Sequence, residues 1–253
     1  MIRSVRTELL KLRTIRLPLG LLATAAGLTA LVTILGAARA GGSGHMAPPP
    51  LNTAAGLEAM LSRSGFGMLL ATVFGVTVAS GEFRHGTATA TYLAAPNRVR
   101  VLIAKAVAAA GVGLLFGLVA AGLTTGISLA FVAAKGYDVA LAWGTIARFG
   151  AGAILGAGLL AAAGVGLGSL LRGQLAAIVT VFAWGLVIEQ VIGGLFDSAQ
   201  PYLPYTAATT MAGATLGGGT SPLPFAAAAA LVAGTAALLS AVAARTTVPA
   251  DIA

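Results

Sequence analysis

The 253-residue chain contains no cysteine, only two histidines and only seven acidic residues. Without cysteine there can be no disulfide, no thiol nucleophile and no thiolate metal ligand. His45 and His85 have no partner at ligand spacing, so a His/carboxylate metal site has nothing to assemble from. No lysine follows a glycine, which excludes a phosphate-binding loop ending in Gly-Lys-Ser/Thr. If ATP drives this protein, another chain hydrolyses it. Serine catalysis inside a membrane needs a neighbouring base, and no histidine falls in an apolar run. An aspartyl pair is also missing, because Asp138, Asp197 and Asp251 all fall in polar stretches. No residue is assigned a catalytic role, and an enzyme in its own right is not expected.

Charge is scarce as well. Only 9% of residues are charged and 58% are hydrophobic, with a mean hydropathy of +0.95; soluble domains are about 25% charged. The composition predicts an all-α integral membrane protein forming a single domain. At about 20 residues per span there is room for about six transmembrane helices. The apolar runs place them near 17–38, 65–79, 101–133, 145–171, 175–196 and 224–244. Ala38-Arg39-Ala40 resembles a signal-peptide cleavage site. The run before it exceeds the roughly 7–15 residues of a signal core, so the first span is expected to be retained. Residues 1–16 read as an amphipathic interfacial helix, with Ile2, Val5, Leu9 and Leu12 on one face and five basic residues elsewhere.

Fifteen basic residues give a net charge of +8. In a membrane protein this favours a topology signal over nucleic acid, since Lys and Arg collect in cytoplasmic loops. With the N-terminus inside, Arg3, Arg6, Lys11, Arg13, Arg16, Arg84, Arg98, Arg100, Lys105, Arg172 and Arg245 lie inside. Arg39, Arg63, Lys135 and Arg148 lie outside. Both termini and the connection between spans 2 and 3 are therefore expected to be cytoplasmic. Four GxxxG pairs (Gly113/Gly117, Gly122/Gly126, Gly152/Gly156, Gly164/Gly168) predict close helix packing in spans 3 and 4.

The polar stretch Ser80–Lys105 stands between two apolar runs. Its residues Glu82-Phe83-Arg84-His85-Gly86-Thr87, then Leu93-Ala94-Ala95-Pro96, Arg98 and Lys105, run in a recognisable order. That order resembles the loop after the second span of ABC-2 type permeases: Glu, a basic residue, Gly-Thr, Leu-x-x-Pro, Arg, and Lys opening the third span. Glu8, Lys11 and the basic residues around them resemble the same family's N-terminal segment. The resemblance implies a transmembrane subunit of an ABC exporter, with ATP and Mg bound on a separate ATPase subunit and no cofactor on this chain. It also implies a homodimer or heterodimer of permease subunits in the plasma membrane. The 80–105 loop would then be a cytoplasmic coupling element that docks the ATPase. Gly86 permits a tight reversal, Thr87 can cap a helix and Pro96 would break it. Arg98, Arg100 and Lys105 are expected to face headgroups or the partner.

One ionisable residue lies inside a span. Glu189, followed by Gln190, sits toward the outer end of span 5. An intramembrane carboxylate is costly and commonly functional. It could instead reach the outer interface or pair with a base such as Arg148. The alternatives to a permease are a proton-coupled secondary transporter using Glu189 and a membrane assembly protein without transport. Composition favours a hydrophobic or amphipathic substrate and does not name it.

Overall fold

Between Pro50 and Pro96 the chain has no proline, and helix fills most of the described part of that interval. The computed structural model describes Glu8, Leu10 and residues 17–42, 47–84 and 98–246; for Glu82, Phe83 and Arg84 the backbone alone is described. The described residues are helical, without strands, and six helices are long and apolar enough to cross a membrane. The chain is therefore a multi-pass, all-helical membrane protein. Most of residues 1–16, the amphipathic segment, lie outside the described residues.

Helix α1 spans Leu17–Arg39, with Pro18 in its first turn, where a missing amide donor costs nothing. Helix α2, Ala54–Leu61, is capped by Thr53, whose Oγ1 accepts from the Gly56 amide at 3.1 Å. It passes through a short 3-10 turn, Ser62–Ser64, into α3, Gly65–Arg84. The second apolar helical run therefore covers Ala54–Gly81, longer than the 65–79 read from hydropathy. With no proline to interrupt it, α3 also carries Glu82, Phe83 and Arg84 in its last turn rather than in a loop. Helix α4, Arg98–Ala134, has 37 residues, about 55 Å of helix against a hydrocarbon core of about 30 Å.

Helix α5, Trp143–Leu171, ends at Arg172, whose left-handed backbone (φ 52°) turns the chain into α6, Gln174–Phe182. The fifth span then changes pitch. Residues Ala183–Ile188 are π-helical, and α7, Glu189–Leu195, completes the span. The following connection is not an open loop. It holds a 3-10 helix, Asp197–Tyr202, and α8, Pro204–Met211, with Pro204 at the first helical position. Helix α9, Phe225–Thr246, closes the bundle.

Helix α5 is the hub, packed by α4, α3, α9 and α8. Its glycines explain why. A Cβ on Gly164 or Gly168 would meet the α3 backbone at Thr72 or Val76, and one on Gly166 would meet α9 at Leu239 and Ser240. Gly152 lies against the Met211 carbonyl of α8, and Gly113 and Gly117 of α4 lie against the α5 backbone. Three of the four GxxxG pairs thus sit at helix crossings. The fourth, Gly122/Gly126, has nothing within 4 Å and lies on the exposed side of α4. The stacked rings of Phe74 and Phe116, 5.7 Å apart, fill the core between α3 and α4.

Two ends of the bundle can be distinguished. Residues 47–61 fold over one of them: Leu51, Leu57 and Met60 are buried with Ala37 of α1 and Val132 of α4. This end, called distal below, also carries the 196–224 connection. The opposite, proximal end carries Glu8, the end of α3, the start of α4 and the α5–α6 turn.

Candidate functional site

The π-helical turn positions a buried cluster of hydrogen bonds around Glu189. In an α-helix, residues five apart point about 140° away from each other. The wider π turn brings them onto one face. Here the Glu189 amide donates to the Trp184 carbonyl, five residues back. The same shift lets the Trp184 indole Nε1–H donate to Glu189 Oε1 at 2.6 Å. Glu189 is almost wholly buried, with 1% of its surface exposed.

Three more donors complete its shell. The Tyr205 amide donates to Oε1 at 2.9 Å, and the Thr206 amide and hydroxyl donate to Oε2 at 2.7 and 2.8 Å. Tyr205 and Thr206 are the second and third residues of α8, so the Glu189 side chain caps that helix from another element. The helix N-terminus carries partial positive charge and favours an anion there. All four partners are donors, which matches a carboxylate that only accepts. Arg148 is not among them; it is exposed on α5 with its guanidinium 5.8 Å from the Phe149 ring centroid. Gln190 is exposed on α7 and stands outside the cluster.

Helix α8 lies well inside the bundle. Its Met211 and Ala208 meet Gly152 and Gly156 of α5, about 13 and 20 Å along that helix from its first residue. The Tyr205 hydroxyl donates to the Gly65 carbonyl of α3 at 3.1 Å. Burial, and then the Glu189 carboxylate beside it, push the Tyr205 phenol above its ordinary pKa, so it remains a neutral donor. Helix α8 is thereby tied to span 5 through Glu189 and to span 2 through Tyr205.

A second polar contact lies at the proximal end. Lys105 Nζ and Glu8 Oε2 form a 2.8 Å ion pair, and both side chains are more than nine-tenths buried. This corrects the expectation that Lys105 faces headgroups or a partner: its ammonium is turned into the protein. The partial burial of Arg98 and the exposure of Arg100 place those two nearer the surface, in the first turn of α4. Of the other candidate docking residues, Glu82, Phe83 and Arg84 end α3, while His85, Gly86, Thr87 and Pro96 lie outside the described residues.

Sequence reasoning missed a third contact. Arg63, in the turn before α3, lays its guanidinium over Gly36 of α1 and donates to the Val32 carbonyl at 2.9 Å. No spacing in the sequence links Arg63 to Gly36 or Val32, which lie 27 and 31 residues before it. No group of three His, Cys, Asp or Glu side chains that could hold a metal occurs among the described residues. Compared with known proteins, the chain matches no family model and no curated protein.

Proposed function

We propose that this chain is the permease subunit of an ABC-2 type transporter, exporting a hydrophobic or amphipathic substrate under the drive of a separate ATPase. One observation carries the proposal: the ordered run from Glu82 through Gly86-Thr87 and Pro96 to Arg98 and Lys105, in a six-span chain that lacks a phosphate-binding loop. Both termini and this run are cytoplasmic, on the distribution of basic residues. ATP and Mg are bound by the partner, and two permease subunits, identical or related, form the complete transporter in the plasma membrane.

The geometry supports a route for force. The run begins on the last turn of α3 and ends on the first turns of α4. Glu8 and Lys105 join the N-terminal segment to the base of α4 through a buried pair. A load applied between residues 84 and 98 would reach a 37-residue helix that packs on the α5 hub. Glu189 is given a structural role here, because its oxygens already hold four donors.

The test is co-purification. Glu82→Arg combined with Gly86→Pro should abolish recovery of ATP-hydrolysing activity with the tagged chain while membrane insertion stays normal. Undiminished ATPase recovery from that variant sinks the docking claim.

A further inference from the structure

Spans 2, 4, 5 and 6 do not close fully beside the Glu189 cluster. They leave a cavity of about 340 Å³ between α3, α5, the π turn, the start of α8 and α9. Leu69, Leu160, Leu167 and Leu239 supply much of its wall. Five lining side chains could be polar, but each has its proton engaged elsewhere. Thr72 donates to the Met68 carbonyl, Thr180 to Ala176 and Thr235 to Leu231, each within its own helix. Trp184 donates to Glu189 and Tyr205 to Gly65. A polar ligand would find no free donor there, and an ordered water needs two to four polar partners. The space is therefore apolar in effect, although three threonines line it.

Its size narrows the occupant. A dry cavity of about 150 Å³ already accepts one benzene ring, and this one is larger by about a factor of two. Trp184 lines the cavity and is 42% exposed, so an entrance past it would open sideways, where lipid lies in a spanning protein. Glu189 holds two of the lining residues in place, since Trp184 and the Tyr205 amide bond to the same oxygen, Oε1.

We propose that this cavity is a binding site for one hydrocarbon chain of an amphiphile, entering past Trp184. The site lies within a single chain and needs neither an ATPase nor a second copy, so it stands independently of the permease reading. The shared chemistry is the acyl chain; its source is a phospholipid of the bilayer or a single-chain amphiphile.

Trp143 and Trp184 are the two tryptophans of the chain, so Trp143→Phe leaves Trp184 as the sole reporter. The full-length variant would be placed in lipid nanodiscs. In one arm dibromostearic acid is titrated in; in the other, ordinary phosphatidylcholine is progressively replaced by its brominated-chain form. Bromine quenches indole on contact. The expected result with dibromostearic acid is a saturable phase above the linear collisional quenching of the lipid-facing side of Trp184. Brominated phosphatidylcholine competes with its ordinary form on equal terms, so its arm is read as the extent of quenching at full replacement, expected to exceed that of a variant whose cavity is filled. The saturable phase alone assigns a single-chain ligand, and the excess with phospholipid alone a bilayer lipid. Both together assign a site that takes an acyl chain from either source. Ala163→Phe, which puts a ring into the cavity from α5, should remove both signals. Thr235→Leu fills the space from α9 and serves where the first variant fails to fold. Absence of both signals overturns the proposal, as does either signal that survives in a folded filled variant.

Discussion

Among the described residues two glutamates are buried, and they are satisfied by opposite means. Glu8 meets a full positive charge, the ammonium of Lys105. Glu189 meets dipoles: an indole, a hydroxyl and two backbone amides at the start of α8. The difference lies in what can be exchanged. Both members of the ion pair are side chains, so both can be replaced together by apolar groups of similar size, often at little cost. The amides of Tyr205 and Thr206 remain whatever residue stands at 189, and a helix start that loses its acceptor stays unsatisfied. One contact is a pair of side chains; the other is in part a fixture of the backbone.

The largest effect should follow from breaking the pair on one side. Lys105→Met takes the ammonium away from a buried carboxylate; breaking a buried pair on one side costs about 3–5 kcal/mol, and the change should lower the unfolding temperature sharply in detergent. Glu8→Met added to it should restore most of the loss; a double variant no better than the single one would remove the distinction. Glu189→Leu should cost about 3 kcal/mol, since several buried donors lose their acceptor at once. Adding Trp184→Phe and Thr206→Val should fail to rescue it, because the two amides persist; full recovery of thermal stability would show that side chains dominate. Glu189→Gln keeps the shape but turns an NH₂ toward donors, and a loss of about 1–2 kcal/mol is expected. In the Trp143→Phe background this variant should also shift the Trp184 emission. Thr206→Val removes one hydroxyl bond of four and should cost about 1 kcal/mol. Its check is hydrogen exchange at the Tyr205 and Thr206 amides, which should remain protected while Glu189 is intact.

Hydropathy alone located six spans, because about 20 apolar residues in a row have few other fates. It placed the start of the second run too late, because residues 54–64 mix small, polar and apolar residues although they form helix. It also carried no trace of the π turn, which changes hydrogen-bond partners without changing composition. Glu189 stood out as an intramembrane acid, yet its partners lie up to 17 residues away across a connection. Pro204 can open a helix, but nothing in the sequence says that the amides of Tyr205 and Thr206 reach Glu189. Glu8 and Lys105 were each singled out on the strength of a resemblance, but 97 residues separate them and no spacing rule links them. The glycines were half legible. Pair spacing marked the crossing helices, and only the packing shows that Gly122 and Gly126 face outward while Gly152 and Gly164 do not.

The cap on α8 also sets a clock on biosynthesis. Glu189 follows one donor, Trp184, but precedes the other three, and its carboxylate waits for residues up to Thr206, 17 positions later. At about 5–20 residues per second that delay is about 1–3 s. Glu8 waits 97 positions for Lys105, or about 5–20 s at the same rates. Until Tyr205 and Thr206 emerge, the Glu189 carboxylate must stay hydrated at the membrane surface or shielded by the insertion machinery. The Glu189 end of span 5 therefore completes its hydrogen bonds only together with the connection that follows it.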